Sequence, residues 1–120
     1  MPIPLATTFN AIAGQVIAYH RKQYGWNQTE FGVRVMLAES QVSRTENGNV
    51  QITAEFLDRA GKVFSRKGSK LLRDAEKVMD WLERRGVEVT YSVNKTMSKD
   101  ELMKQVVLAL KPGRRAHARR

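Results

Sequence analysis

The sequence predicts a mainly α protein: a bundle of short helices ending near residue 67, followed by a helix-strand-helix appendage. Three observations carry this expectation. Apolar residues recur at helical spacing along most of the chain, helix-start and helix-stop residues bracket the recurring stretches, and one stretch alone alternates with the period of a β-strand.

In the first stretch Phe9, Ile12, Ala13, Val16 and Ile17 share a helical face between Thr8, a residue suited to an N-cap, and a stop at Gly25. Asn27, with Glu30 three residues later, forms a variant capping box for a second helix over about 28–35, whose apolar face is Phe31 and Val35. A brief turn at 36–38 leads into ESQVSRTEN, which is polar except for Val42 and closes on Asn47-Gly48. This third helix is expected to be short and exposed, held to the core mainly through Val42. Thr53 then caps a fourth, in which Ala54, Leu57, Ala60, Val63 and Phe64 recur up to a break near Gly68.

A longer fifth helix is expected from about Ser69 to Arg85, with Leu71, Leu72, Ala75, Val78, Met79 and Leu82 on one face and a stop at Gly86. Trp81 lies off the centre of that stripe, where it is available to a partner. In VEVTYSV, residues 87–93, the residues Val87, Val89, Tyr91 and Val93 alternate with polar ones, and this is the one convincing strand. Ser98 and Glu101 make a capping box for a last helix bearing Leu102, Met103, Val106, Val107 and Leu110, terminated by Pro112-Gly113. The final RRAHARR is expected to be a disordered basic tail.

A chain of 120 residues accommodates one compact core with an accessory segment rather than two full domains. We read residues 1–67 as one domain, 68–111 as the helix-strand-helix segment and 112–120 as the tail. No apolar run is long enough to span a bilayer, so no membrane partner is expected. The opening MPIPLATTFN lacks a signal-peptide layout and the chain has no cysteine, which together predict a cytoplasmic protein without disulfides or thiolate metal sites. His20 and His117 are the only histidines, belong to no cluster with metal-ligand spacing, and are expected to be ordinary surface residues. No nucleophile beside a base, no paired carboxylates and no Gly-rich phosphate loop can be read, so neither catalysis nor a cofactor is expected.

The formal charge of +9 favours a polyanionic partner. Residues 1–66 and 67–110 each carry an excess of two positive charges, and the last ten residues carry five basic and no acidic ones. More than half of the excess is therefore terminal. It could follow a phosphate track with little sequence information, or simply be solvated.

Two short helices joined by a three-residue turn, the second polar on its outer face, are the ingredients of a helix-turn-helix. A helix placed in the major groove, about 12 Å wide, must present groups that reach base edges. Glu39, Ser40, Gln41, Ser43 and Arg44 supply them at the start of the third helix and one turn later. The stretch GWNQTEFGVRVMLAESQVSRTENGNVQITAEFLDRAGKVF resembles the lambda-repressor-like (XRE-type) helix-turn-helix family without a gap, and with the first helix the resemblance covers about residues 8–66. It rests on Gln28 opening the second helix, on Phe31-Gly32 where the family usually has an aliphatic residue followed by Ala, on Val42 as buried anchor, and on Glu46-Asn47-Gly48.

The resemblance implies a lambda-repressor-like helical bundle and a sequence-specific DNA-binding transcriptional regulator whose partner is double-stranded DNA. Carried over by position, Gln28 binds a phosphate, Glu39, Ser40, Gln41 and Arg44 face bases, Ser43 is a further groove contact, and the backbone around Asn47 meets a second phosphate. Arg21 and Glu46 occupy the positions of a structural ion pair. Three departures stand out: Met36 where the turn usually has Gly, Ala38 in place of a Ser or Thr cap, and Ile52 in place of a common Pro.

A lone strand cannot satisfy its own backbone groups, and no second clear strand is legible, so the partner of residues 87–93 is expected to be another chain. Antiparallel pairing of Val87, Val89, Tyr91 and Val93 about a two-fold axis would give a homodimer. Its two recognition helices, about 34 Å apart, would read a palindromic operator as a repressor does. A rival reading makes the C-terminal half a protein-binding module, as in an antitoxin that caps a toxin and represses its own operon. A third has the basic tail binding nucleic acid without sequence preference.

Overall fold

The computed structural model describes residues 5–91 and 95–111. In chain order its elements are β1 (Ala6–Thr8), α1 (Phe9–Gln23), α2 (Gln28–Val35), α3 (Glu39–Glu46), α4 (Ala54–Val63), α5 (Gly68–Arg84), β2 (Glu88–Thr90) and α6 (Lys99–Leu110). The start signals act where expected. The side chains of Thr8, Asn27, Thr53 and Ser98 each accept a hydrogen bond from the backbone N–H three residues on, and Asn27 with Glu30 forms the full capping box, whereas the box expected at Ser98 is half made because the Glu101 carboxylate accepts from Gln105 instead.

The first helix is the hub. Every residue from Ala11 to Ala18 is buried, the signature of a helix covered on all sides. Ala11, Ile12, Ala13 and Val16 pack with Ala75, Val78 and Leu82 of α5 and with Leu102, Val106 and Ala109 of α6. Ile17 belongs to a second cluster, with Phe31 and Val35 of α2, Val42 of α3, Ala60 and Phe64 around α4, and Leu71 of α5. The segment beyond residue 67 therefore shares a core with the first helix.

The strand expectation needs correction. β2 is short, and it pairs in parallel with β1 of the same chain, in the register Ala6↔Glu88, Thr7↔Val89, Thr8↔Thr90. Glu88 N–H donates to Leu5 O at 2.9 Å, while Thr96 and Met97 N–H donate to Ala6 O on the other side of β1. Intrachain partners thus answer the need that had pointed to a second chain. Val87 is buried and Val89 half-buried, both against the core formed by α1, α5 and α6, whereas Tyr91 points outward. The first two members of the expected dimer contact face inward because the alternating apolar side chains cover the chain's own helices. Val93 lies outside the described residues, as does the basic tail.

Two further expectations change. His20 is buried rather than on the surface: its Nε2 lies 3.0 Å from Asp74 Oδ2, which also accepts from the Arg66 guanidinium at 3.2 Å, and the ring packs on Tyr19 and Phe64. Helix α5, docked on α1, brings Asp74 over this position and turns an outer-face histidine into an interhelical tie. Trp81 is half-buried within the chain: its indole N–H donates to Gln105 Oε1 of α6 at 2.9 Å and the Arg85 guanidinium stacks over the ring. His117 lies outside the described residues.

Two glycines set how closely α3 approaches α1. A Cβ on Gly14 would fall 2.3 Å from Thr45 O, and one on Gly48 would fall 2.6 Å from Ala11 Cα. Gly48 also has a φ of +77°, a left-handed conformation that L side chains adopt at a cost. Gly48→Ala is therefore expected to destabilise the fold by about 1–3 kcal/mol. Urea denaturation checks this, and a loss within error of zero would mean that the loop moves off α1 at no cost.

Candidate nucleic-acid interface

α2, a turn at residues 36–38 and α3 form a helix-turn-helix. The turn begins at Met36, whose φ of 61° and ψ of 48° put a non-glycine residue in the left-handed region. The strain, about 1–2 kcal/mol for an L-residue, is offset by local bonding. Leu37 N–H reaches back to Gly32 O at 2.9 Å, as in a Schellman motif, and the Arg59 guanidinium of α4 donates to Val35 O at 3.0 Å. This wrap lays Leu37 O over Gly32, where a Cβ would fall 2.5 Å from it, and so accounts for glycine at this position.

Helix α3 has no side-chain cap at Ala38. Gln41 substitutes, its Oε1 accepting from Ala38 N–H at 3.0 Å. Val42 is 1% exposed and anchors the helix, and Thr45 and Glu46 are buried beside it, two contacts beyond the one expected. Glu39, Ser40, Gln41 and Arg44 are exposed, and Ser43 is half-buried. The structure thus brings four of the five expected base-facing residues onto the open face of one short helix. Gln41 is partly committed, since its carbonyl oxygen holds the helix start and its amide nitrogen is left to reach outward.

The lower end of α3 is locked to α1 and α2 by a buried charged network. Arg21 Nε and Nη2 donate to the two Glu46 carboxylate oxygens at 2.7 and 3.0 Å, and a further guanidinium nitrogen donates to Trp26 O at 2.8 Å. Gln28 Nε2 donates to Glu46 Oε1 at 2.9 Å, and Gln15 Nε2 to Glu46 O at 2.8 Å. Gln28, expected at a phosphate, therefore also orients the end of α3 from a half-buried position at the start of α2. Asn47 follows α3 directly, and its backbone carbonyl accepts from Lys95 Nζ at 3.0 Å.

Lys95 and Gln15 were invisible as members of this site. Lys95 arrives from a segment 48 residues away in sequence, and Gln15 reads as one polar residue in an apolar helix. Only packing assigns them. Among the described residues, no group of three or more His, Cys, Asp or Glu residues could hold a metal ion, and no helix is long and apolar enough to cross a membrane.

The fold and this surface define a class: a helical bundle built on a helix-turn-helix with an exposed polar second helix. Among solved structures, this chain resembles the crystal structure of the clp gene regulator ClgR from Corynebacterium glutamicum with a TM-score of 0.60 at 18% sequence identity, over 70% of this chain and 86% of that one. At that identity the likeness is one of fold. No protein-family model and no curated protein matches the sequence.

Proposed function

We propose that the chain is a sequence-specific DNA-binding transcriptional regulator, a repressor that reads a palindromic operator as a homodimer. The observation that carries this reading is α3 itself. Its inner side is pinned by Val42 and the Arg21–Glu46 pair, and on its outer side Glu39, Ser40 and Arg44 have side chains with no hydrogen-bond partner among the described residues, while Gln41 caps the helix and Ser43 accepts from Asn47. A rigid helix of this kind fits the major groove, where Arg44 can donate two hydrogen bonds to guanine and Glu39 can accept from cytosine N4. Gln28 and the backbone at Asn47 flank it as phosphate contacts, and the fold likeness to a gene regulator agrees with this use.

Two copies are proposed because one eight-residue helix touches too few base pairs for useful specificity. Tyr91, 89% exposed, is the outward member of the strand's apolar set among the described residues, and it is assigned to the dimer contact. Sedimentation at micromolar concentration is expected to give a two-chain mass for the parent and a one-chain mass for Tyr91→Glu, a result that an unchanged mass would contradict.

Selection of bound sequences from a random double-stranded DNA pool near physiological salt tests the function directly. An enriched palindrome is the expected result. No enrichment, with binding that vanishes on adding salt, would overturn the sequence-specific reading in favour of charge alone.

A further inference from the structure

A cleft of about 580 Å³ opens at the seam between the two core clusters, bounded by α1, α5, α4 and the loop after α3. We propose that it binds a small amphipathic anion, an apolar body ending in a carboxylate, and that this ligand regulates DNA binding. The volume falls in the range of roughly 300–1,000 Å³ typical of small-molecule sites, which are mostly apolar, carry a few converging polar groups and favour seams between packed units. Here the half-buried Phe9 and Ile52 pack against one cluster and the half-buried Leu57 against the other, so an apolar occupant touches residues of both.

The charge of the ligand follows from the rim. Among the described residues lining the cleft there is no carboxylate, and Lys95 is the one cationic side chain. Its ammonium group has three N–H donors, of which one is given to Asn47 O. Two remain for a carboxylate. Gly48 and Asn49, next to Asn47, also line the cleft, and Ile52 N–H is held by Asn10 Oδ1 at 3.3 Å, so the loop forms one wall.

The regulatory half of the proposal rests on the DNA-binding reading above, in which the backbone at Asn47 meets a phosphate. A carboxylate that engages the two remaining donors draws the Lys95 ammonium group toward the cleft, which lengthens its bond to Asn47 O and shifts the loop that follows the recognition helix. Anion and DNA then bind with reciprocal coupling, each weakening the other by the same factor.

Calorimetric titration of the full chain with decanoate below its micellar range tests the site. Saturable binding with one ligand per chain is expected, about fourfold weaker for each methylene removed. Neutral decanol should bind about tenfold or more weakly, having lost the charged hydrogen bond to Lys95. Leu72→Trp adds bulk from a rim position that is 38% exposed and is expected to abolish binding, while Lys95→Met should make decanoate no better than decanol. Both variants should melt with the parent, which separates occlusion from unfolding. No saturable heat with decanoate, or equal binding by the parent and both variants, would overturn the site.

The coupling is read separately, on the DNA sequence that the parent selects. Decanoate is expected to weaken that complex for the parent and leave Lys95→Met unaffected; an unaffected parent complex overturns the regulatory half. If decanoate binds as described but no DNA sequence is selected, the DNA reading fails and the anion site stands. If a sequence is selected but decanoate does not bind, the reverse holds.

Discussion

Glu46→Ala is expected to cost about 3–5 kcal/mol of stability, the typical penalty for stranding one member of a buried ion pair. The Arg21 and Glu46 side chains are 9% and 3% exposed, and the carboxylate is shared by Arg21 and Gln28. Removing it leaves a guanidinium desolvated with only Trp26 O to bond, and leaves the Gln28 amide without its acceptor. The loss includes the buried charge left behind as well as the pair's own attraction. A double variant, Arg21→Met with Glu46→Leu, should therefore recover much of the loss, because two apolar side chains of similar size leave no unpaired charge. Denaturant titration of the two single variants and the double one checks this. A loss below about 1 kcal/mol for Glu46→Ala would show that water reaches Arg21.

Arg44→Ala is expected to weaken binding to the selected operator by about 5–150-fold per recognition helix, the equivalent of about 1–3 kcal/mol for a bidentate contact to a base. Preference at one base pair of each half-site should relax, while stability stays near that of the parent because Arg44 is exposed. Gln28→Ala is the informative contrast. Its loss should weaken binding to all sequences alike and also cost some stability, since the amide supports Glu46 as well as being assigned to a phosphate. A competition measurement over single-base operator variants distinguishes the two patterns. If Arg44→Ala leaves both preferred site and affinity unchanged, α3 is not the reading helix.

The helix-turn-helix was legible because its signals are local. Thr8, Asn27, Thr53 and Ser98 cap within three residues of themselves, and Val42 stands alone among polar neighbours. Met36, where the resemblance implies a turn glycine, takes the left-handed conformation that glycine would. What could not be read is nonlocal. β1 is three residues long, too short to announce itself, and becomes a strand only because residues 88–90 lie beside it after five helices have brought the ends together. His20 looked like a surface residue because its partner, Asp74, is 54 positions away.

The sequence by itself determined the helices, their caps and stops, the polar face of the third helix and the residues on it, since these depend on spacing and on side-chain bonds to nearby backbone. The tertiary structure decided which way the alternating valines face, which groups hold α3 in place, and that α1 sits between two clusters with a cleft at their seam. Burial and long-range pairing are properties of surfaces brought together by folding, and apolar periodicity says that a face will be covered without saying by what.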